Sequence, residues 1–225
     1  MIKYYVRTTG ERILDKSYGQ IKYELLIDTE HNARKSFVEQ LERLAELNQD
    51  VVILEDDLEL CKDFKNRIES VIEEYKDNII NFFYKPRDYF QTKLQKHFCW
   101  NQCVYYPKEL LKLLAKEMRV QYELKPLMPH DEVENIALNK LGIKNVWYRP
   151  CLVQHLDFKS LVGNTSKYRI TPYYIDYLEE LNIPYEKACF FVNLSKLYKL
   201  LEEHIKIKRI EIFEPQNENE GVEKK

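Results

Sequence analysis

The 225-residue sequence predicts an α/β fold in which helices flank a mostly parallel central sheet. The first supporting observation is the order of segments, because apolar stretches typical of strands alternate with stretches that repeat apolar residues at helical spacing. The second is the composition, since hydrophobic residues make up 44% of the chain and can form a substantial core. A chain of this length is expected to form one domain with room for an appendage.

Six short segments have the composition of strands. The clearest is Val51-Val52-Ile53-Leu54, because it has four consecutive apolar residues, three of them β-branched. The full set of predicted strands covers residues 2–7, 23–28, 50–54, 78–84, 99–106 and 146–150.

The helical segments are identified by their spacing and by their ends. Phe37, Leu41 and Leu44 repeat at helical intervals, which predicts a helix over residues 33–47. Pro107 suits the first turn of a helix, and Gly142 suits the position just after the last turn. The other predicted helices cover residues 64–75, 107–116 and 131–141, and two more, divided near Pro184, lie within residues 172–208.

These elements predict three regions along the chain. Residues 1–170 form the α/β domain, and residues 171–213 form a helical C-terminal appendage. Residues 214–225 are expected to be a disordered tail, because the end of the chain is charged and lacks apolar anchors.

Composition excludes several classes of protein. The 35 basic and 37 acidic residues give a net charge of −2, which argues against a polybasic nucleic-acid coat. Only 5 glycines are present, which argues against a Gly-rich phosphate loop. No apolar run reaches the roughly 18 residues of a membrane span, and the N-terminal residues lack the order of a secretory signal. The five cysteines are widely spaced, so we expect buried thiols, no zinc site and a cytoplasmic protein.

Polar residues follow three of the predicted strands, at the edge where α/β sheets bind ligands. They are Thr8-Thr9, Asp28 and Glu55-Asp56-Asp57. Three carboxylates directly after a core strand are costly unless a cation or a dipole faces them. Carboxylate oxygens suit Mg²⁺ or Mn²⁺, which also bind substrate phosphates. The alternative is a solvated loop with an acidic helix cap.

The segment Ile53-Leu54-Glu55-Asp56-Asp57-Leu58, followed by Phe64, resembles the acidic signature of nucleotide-sugar-dependent glycosyltransferases of the glycosyltransferase-A fold. It is most similar to bacterial and phage members near the lipopolysaccharide-glycosyltransferase group. The resemblance covers residues 1–165 and implies a Rossmann-like sheet and a bound Mn²⁺ or Mg²⁺. By this resemblance Asp57 is a metal ligand and Glu55 approaches the ribose, with Asp56 taking the role if the register differs by one.

Four further stretches extend the resemblance. The stretch from Tyr5 to Arg12 is similar to the strand and turn that hold the nucleotide. The Pro129-His130-Asp131-Glu132 stretch is similar to the helix start that supplies the general base. The stretch from Trp100 to Pro107 is similar to the floor of the donor-sugar pocket. The stretch from Pro150 to His155 is similar to the closing loop whose histidine completes the metal shell. The residues implied are Arg7, Thr8, Thr9, Arg12, Asp28, Glu55 and Asp56 for the nucleotide, Trp100, Asn101 and Gln102 for donor sugar or acceptor, Asp131 and Glu132 for catalysis, and Asp57 and His155 for the metal.

Other readings of these residues stay open at this point. Asp131 and Glu132 are also the acids that a helix N-terminus favours, and His155 is also consistent with a structural histidine. Arg12 suits a phosphate because it lies in the turn after the first strand, although it could equally be a surface charge.

The resemblance implies an enzyme that moves a sugar from a nucleotide-diphosphate donor, most simply a UDP-sugar, to a hydroxyl acceptor, with inversion. The acceptor is a surface glycan or a hydroxymethylated DNA base in a phage-infected host cytoplasm. The basic and aromatic loop over residues 85–97 is compatible with an acceptor such as DNA, or is a mobile solvated loop. The Tyr-rich C-terminal helices pack on the domain, form a homodimer surface or shape the acceptor site. The alternatives are a sugar-phosphate nucleotidyltransferase and a non-catalytic scaffold of the same fold.

Overall fold

The computed structural model describes residues 2–84, 94–95, 101–156 and 173–184, and the single positions 98, 171, 203 and 206. Its main sheet has seven strands: β1 (Lys3–Thr8), β2 (Tyr23–Ile27), β3 (Val51–Glu55), β5 (Ile79–Asn81), β6 (Leu94–Gln95), β7 (Cys103–Tyr106) and β8 (Asn145–Trp147). A separate two-stranded ribbon joins β4 (Leu58–Leu60) to β9 (Val153–His155). The helices are α1 (Ala33–Glu46), α2 (Phe64–Glu74), α3 (Lys108–Leu124), α4 (His130–Leu141) and α5 (Ile175–Glu180), with a 3-10 helix at Lys16–Gln20.

The strands of the main sheet lie in the order β2-β1-β3-β7-β5-β8-β6. β2, β1 and β3 are mutually parallel, and β5 is parallel to β8. β7 runs antiparallel to both β3 and β5, and β6 runs antiparallel to β8. Five strands therefore share one direction and two run against it, which confirms the predicted α/β class with a mostly parallel sheet.

Helices cover both faces of this sheet. Alternate residues of β3 serve the two faces, with Val51 and Ile53 packed on the side of α1, α3 and α4, and Val52 and Leu54 packed on the side of α2. This arrangement explains why the third strand is apolar throughout, since a strand covered on both faces has no solvent side. The tyrosines Tyr174 and Tyr177 belong to the same core as α2, so the segment that holds α5 packs against the sheet domain.

The strands and α-helices predicted within the first 80 residues match the observed ones closely, and the predicted elements that differ in length lie further on. α3 begins at Lys108 after Pro107, which is its N-cap, and it continues to Leu124 instead of ending near residue 116. The strand predicted over residues 99–106 is shorter, at Cys103–Tyr106. The 3-10 helix, β4 and β9 were not predicted, because segments this short lack a readable period.

The remaining regional predictions are only partly within the described residues. Cys61, Cys103 and Cys151 are buried free thiols, as expected, whereas Cys99 and Cys189 lie outside the described part. The basic loop, apart from Leu94–Gln95, the helix after Pro184 and the charged tail also lie outside it. Among the residues described, no helix combines the length and the apolarity that crossing a membrane requires.

Gln154, in β9, joins the two-stranded ribbon of β4 and β9 to the backbone of Thr171. Its amide donates to the Thr171 carbonyl at 2.8 Å and accepts from the Thr171 N–H at 2.8 Å, and the side chain is fully buried. Gln154→Ala should therefore lower the free energy of unfolding by about 2–3 kcal/mol, because both backbone groups lose their partner. Urea denaturation followed by circular dichroism measures the change.

The matched control for this substitution is Gln121→Ala on α3. Gln121 is also buried, but among the described residues its side chain donates to the carboxylate of Glu117 alone, and that carboxylate is partly exposed. We expect a loss below about 1 kcal/mol there. If the two variants lose equal free energies of unfolding, the two bonds between Gln154 and the Thr171 backbone do not contribute more to stability than the bond from Gln121.

Candidate functional site

The carboxyl ends of β1, β2 and β3 lie at the same end of the sheet, and several of the predicted site residues lie there. Thr8 ends β1, Asp28 follows β2, and Glu55 ends β3. Because β7 is antiparallel to β3, its first residues lie at the same edge, and the Glu55 N–H donates to the Gln102 carbonyl at 2.9 Å. The acid triplet and the Asn101-Gln102 pair are therefore neighbours, although more than 40 residues separate them in the chain.

Arg12 bridges two of the three carboxylates. Its guanidinium lies 2.6 Å from Asp56 Oδ1 and 2.9 Å from Asp57 Oδ2. All three side chains are largely buried, with exposed fractions of 12% for Arg12, 5% for Asp56 and 6% for Asp57. Burial lowers the pKa of Arg12, but attraction to Asp57 and Asp56 outweighs it and raises the pKa above its usual value, so Arg12 is a fixed positive charge. The Thr8 hydroxyl completes the cluster by donating to Asp56 Oδ2 at 2.7 Å.

His155 meets Asp57 from the ribbon of β4 and β9. The register pairs Leu58 with His155, and the Leu156 N–H donates to the Asp57 carbonyl at 2.8 Å. This pairing brings His155 Nε2 to 3.3 Å from Asp57 Oδ2, with the imidazole only 1% exposed. The two side chains to which the resemblance assigns a metal are therefore adjacent.

This pair is chemically suited to a divalent cation. Two ligand atoms bound to one Mg²⁺ or Mn²⁺ at about 2.1 Å lie roughly 3 Å apart in an octahedral shell, close to the observed separation. Within the described part of the chain, no group of three or more His, Cys, Asp or Glu side chains is arranged so that it could hold a metal ion, so the protein would supply only this pair. The remaining ligands would then be water and phosphate oxygens, which is the usual manner in which Mg²⁺ binds with substrate phosphates.

The loop that carries Arg12 is anchored by the 3-10 helix. Tyr18 is buried and its hydroxyl donates to the Glu55 carbonyl. Ser17 Oγ accepts from the Leu60 N–H at 2.9 Å, and Gln20 bonds both to the Cys61 carbonyl and to the N–H at the start of α2. The loop is thus tied to β3, β4 and α2, which fixes where Arg12 can reach.

Arg7 is held by the protein on every side of its guanidinium. It donates to Glu55 Oε1 at 2.8 Å, to Gln40 Oε1 at 3.0 Å and to the Ala33 carbonyl at 3.3 Å, and it stacks on the Phe37 ring at 4.5 Å. Burial raises the pKa of Glu55 to about 7, although Arg7 opposes the shift, and Asp57 and Asp56 add to it. That Arg7 contacts the nucleotide stays a prediction, and in the described structure its ion-pair partner is Glu55.

Asp28 shapes the turn between β2 and α1. Its Oδ1 accepts from the N–H groups of Glu30 and Asn32, each at 3.2 Å, and the residue is 8% exposed. With Thr29, Lys35 and Glu39 among others, it lines a small polar groove beside β2. This groove lies at the end of the edge strand, where the resemblance places the nucleotide base.

The start of α4 lies against α1. The His130 ring packs on Phe37 at 4.9 Å, and burial together with Arg7 and Arg34 lowers the pKa of His130 to about 3. Asp131 is partly buried, whereas Glu132 is exposed and its backbone N–H bonds to Asp131 Oδ1 at 3.0 Å. Of the two acids predicted for catalysis, Asp131 is therefore the less exposed.

Glu134, one turn further along α4, was missed at the level of sequence. The carboxylate is fully buried and accepts from the Tyr106 hydroxyl at 2.9 Å and from Asn101 Nδ2 at 2.7 Å. Burial raises the pKa of Glu134 to about 8, although the two hydrogen bonds oppose the shift. Its only sequence signal is an acid on the apolar side of a helix, between Val133 and Ala137.

Several polar atoms at this edge are buried and have no hydrogen-bond partner within the described structure: Thr9 Oγ1, Asn101 Oδ1 and Gln102 Oε1. Such atoms are rare in folded proteins and call for an explanation, commonly a ligand or an ordered water. The resemblance assigns Thr9 to the nucleotide, and Asn101 and Gln102 to the donor sugar or the acceptor. Trp100, which shares the second assignment, lies outside the described part. No family model and no curated protein matches the chain significantly.

Proposed function

We propose that the protein is a metal-dependent glycosyltransferase that moves a sugar from a nucleotide-diphosphate donor to a hydroxyl acceptor. The observation that carries this proposal is the 3.3 Å approach of Asp57 Oδ2 and His155 Nε2 at the carboxyl edge of the sheet. The two residues are almost 100 positions apart in the chain, and the glycosyltransferase resemblance assigns both to one metal. Neither a solvated acidic cap nor an isolated core histidine requires this meeting.

The donor is proposed to lie along the ends of β1, β2 and β3. Asp28 lies beside the groove that would take the base, and Glu55 or Asp56 would approach the ribose. Arg12 would supply guanidinium donors to the diphosphate, since a guanidinium matches the geometry of phosphate oxygens. The expected donor is a UDP-sugar, so the base expected in this groove is uracil.

The proposed reaction breaks the bond between the anomeric carbon and the diphosphate oxygen and forms a bond to the acceptor oxygen. Asp131 would take the proton of the acceptor hydroxyl as the new bond forms, which is the role of a general base in an inverting transfer. Asp57 and His155 would hold Mn²⁺ or Mg²⁺, which would neutralise the negative charge on the departing diphosphate. Arg12 would support the same charge from the protein side.

The proposal predicts that nucleotide sugars stabilise the protein only together with a divalent ion. A thermal-shift panel of UDP-, GDP- and ADP-sugars, each with Mn²⁺ or with EDTA, measures this effect. We expect one nucleotide class to raise the melting temperature with Mn²⁺, and Asp57→Ala to abolish that rise, because the carboxylate that would bind the ion is gone.

The matched control is Asp77→Ala. Asp77 is exposed and precedes β5, so it lies at the opposite edge of the sheet. It should keep the full ligand-dependent rise. Stabilisation by nucleoside triphosphates with sugar phosphates would instead indicate a nucleotidyltransferase, and an unresponsive protein across the panel would contradict the proposal.

The acceptor is proposed to be a hydroxyl of a surface glycan or of a hydroxymethylated DNA base. Transfer of radiolabelled sugar to the two acceptors, with unmodified DNA alongside, separates these classes. Label on hydroxymethylated DNA alone would identify a DNA-modifying enzyme.

A further inference from the structure

The amide of Asn101 is held in one orientation by a buried acid. Asn101 is 5% exposed, and its Nδ2 donates to Glu134 Oε2 at 2.7 Å. The other oxygen of Glu134 accepts from the Tyr106 hydroxyl at 2.9 Å, so the carboxylate itself is fixed. Oε2 can accept from Nδ2 whether Glu134 is ionised or protonated, because a neutral carboxyl keeps a carbonyl oxygen.

The segment around Asn101 is also fixed at both of its ends. The Phe98 N–H donates to Asn135 Oδ1 of α4 at 2.8 Å, and the Gln102 carbonyl accepts from the Glu55 N–H at 2.9 Å. Consecutive residues of α4, Asn135 and Glu134, thus bind the Phe98 backbone and the Asn101 side chain, and Gln102 is bonded to the end of β3. These contacts fix the position and the orientation of the Asn101 side chain.

The consequence concerns the other end of the amide. With Nδ2 committed to Glu134, Oδ1 points away from that acid, and it is buried without a partner in the described structure. An unpaired buried carbonyl oxygen is costly, so an apolar residue would be favoured here if the site served only packing. The cost of burying Asn101 Oδ1 is offset only if a hydrogen-bond donor from outside the chain binds to it.

We propose that Glu134 is the positioning residue of a donor-sugar subsite, in which Asn101 Oδ1 accepts a hydrogen bond from one hydroxyl of the transferred sugar. This inference rests on the glycosyltransferase function proposed above and adds a specificity rule to it. Because the oxygen can only accept, the subsite requires a donating group at one ring position and rejects sugars that are deoxygenated there. A site built for a hydroxyl discriminates strongly against the analogue that lacks it.

Binding measured by calorimetry in the presence of Mn²⁺ tests the role of Glu134. The ligands are the nucleotide sugar that stabilises the wild-type protein and the corresponding nucleoside diphosphate. Glu134→Ala should weaken binding of the sugar nucleotide by about tenfold and leave the diphosphate unaffected, since only the sugar meets Asn101. Glu134→Gln should restore most of the loss, because its amide oxygen can still accept from Asn101 Nδ2.

Asn135→Ala is the matched control, since it removes the other contact between α4 and this segment without touching the Asn101 amide. If Asn135→Ala also weakens binding of the sugar nucleotide tenfold and leaves the diphosphate unaffected, then Glu134 acts only by anchoring the backbone near Asn101, and the inference fails. The inference also fails if Glu134→Ala weakens the sugar nucleotide and the diphosphate equally, or neither. If no nucleotide sugar binds the wild-type protein, the proposed function fails as well, which separates the two cases.

A second test does not depend on the folding of any Glu134 variant. Analogues of the sugar nucleotide, each lacking one hydroxyl, are compared on wild-type protein and on Asn101→Ala. One analogue should bind the wild-type protein at least about tenfold more weakly than the parent, and this difference should vanish in Asn101→Ala. A loss that is the same in both proteins, or no loss for any analogue, would overturn the inference.

Discussion

Arg12→Ala is expected to lower the free energy of unfolding by about 3 kcal/mol when divalent metal is absent, because removing one member of a buried ionic cluster leaves the others uncompensated. The guanidinium lies within 3.0 Å of both Asp56 and Asp57, and all three groups are shielded from water. Without it, two carboxylates remain beside Glu55 in an environment that cannot solvate them. Urea denaturation in EDTA at neutral pH measures the loss.

The same variant should respond strongly to metal. A divalent ion can replace the missing positive charge, so Mn²⁺ should recover most of the lost stability in Arg12→Ala. The gain should exceed that of the wild-type protein, in which Arg12 and the ion compete for Asp57. If Arg12→Ala loses the expected free energy of about 3 kcal/mol and Mn²⁺ does not increase its free energy of unfolding, the acid cluster does not bind the ion and is stabilised by Arg12 alone.

The control for charge removal is Arg119→Ala. Arg119 donates to both oxygens of Glu42, but the pair is about one-third exposed, with fractions of 31% and 37%. Exposed pairs contribute little, so we expect a loss below about 1 kcal/mol and no response to Mn²⁺. A loss as large as that of Arg12→Ala would show that charge removal in general, and not burial, produces the effect.

The fold could be predicted from sequence where each element carries its own periodic signal. The run from Val51 to Leu54 and the spacing of Phe37, Leu41 and Leu44 are such signals, and the corresponding strand and helix are present. The ribbon of β4 and β9 has no such signal, since each strand has three residues and they lie more than 90 positions apart. Their pairing depends on tertiary contacts that only the folded chain brings together.

The candidate site divides in the same way. Residues at strand ends, such as Thr8, Asp28 and Glu55, could be placed at one edge because parallel strands align their carboxyl ends. That Arg12 bridges Asp56 and Asp57 could not be predicted, because it depends on how a long loop is anchored by Tyr18. Their functional roles stay predictions.

Glu134 shows a second limit of sequence reasoning. An acid one turn into a helix is ordinarily a solvent-facing residue, and nothing local indicates that Tyr106 and Asn101 enclose it. The three residues meet because α4 packs in the same core as Tyr106, which is a property of the whole fold. A buried acid in such a setting is expected to affect both binding and stability.

Raising the pH from about 6.5 to about 8.5 should therefore lower the free energy of unfolding by about 2 kcal/mol through Glu134 alone. Burial raises the pKa of the folded Glu134 to about 8, from the value of 4.5 expected in an unfolded chain. The folded state then holds a proton that the unfolded state has released, and the resulting stability is lost as the pH rises through the folded pKa. His130 makes a smaller contribution of opposite sign, because an unfolded histidine is half protonated at about pH 6.5 and loses that proton as the pH rises, whereas burial keeps the folded His130 neutral.

Glu134→Gln isolates the contribution, because glutamine resembles the protonated acid and does not titrate. Urea denaturation of both proteins across this pH range should give a wild-type stability that falls more steeply than that of the variant, by about 1 kcal/mol for each pH unit below 8. Glu55, with a pKa raised to about 7, adds a smaller slope that both proteins share. Parallel curves would mean that Glu134 is already ionised in the fold, and Asn101 would then be held by a full negative charge at every pH in the range.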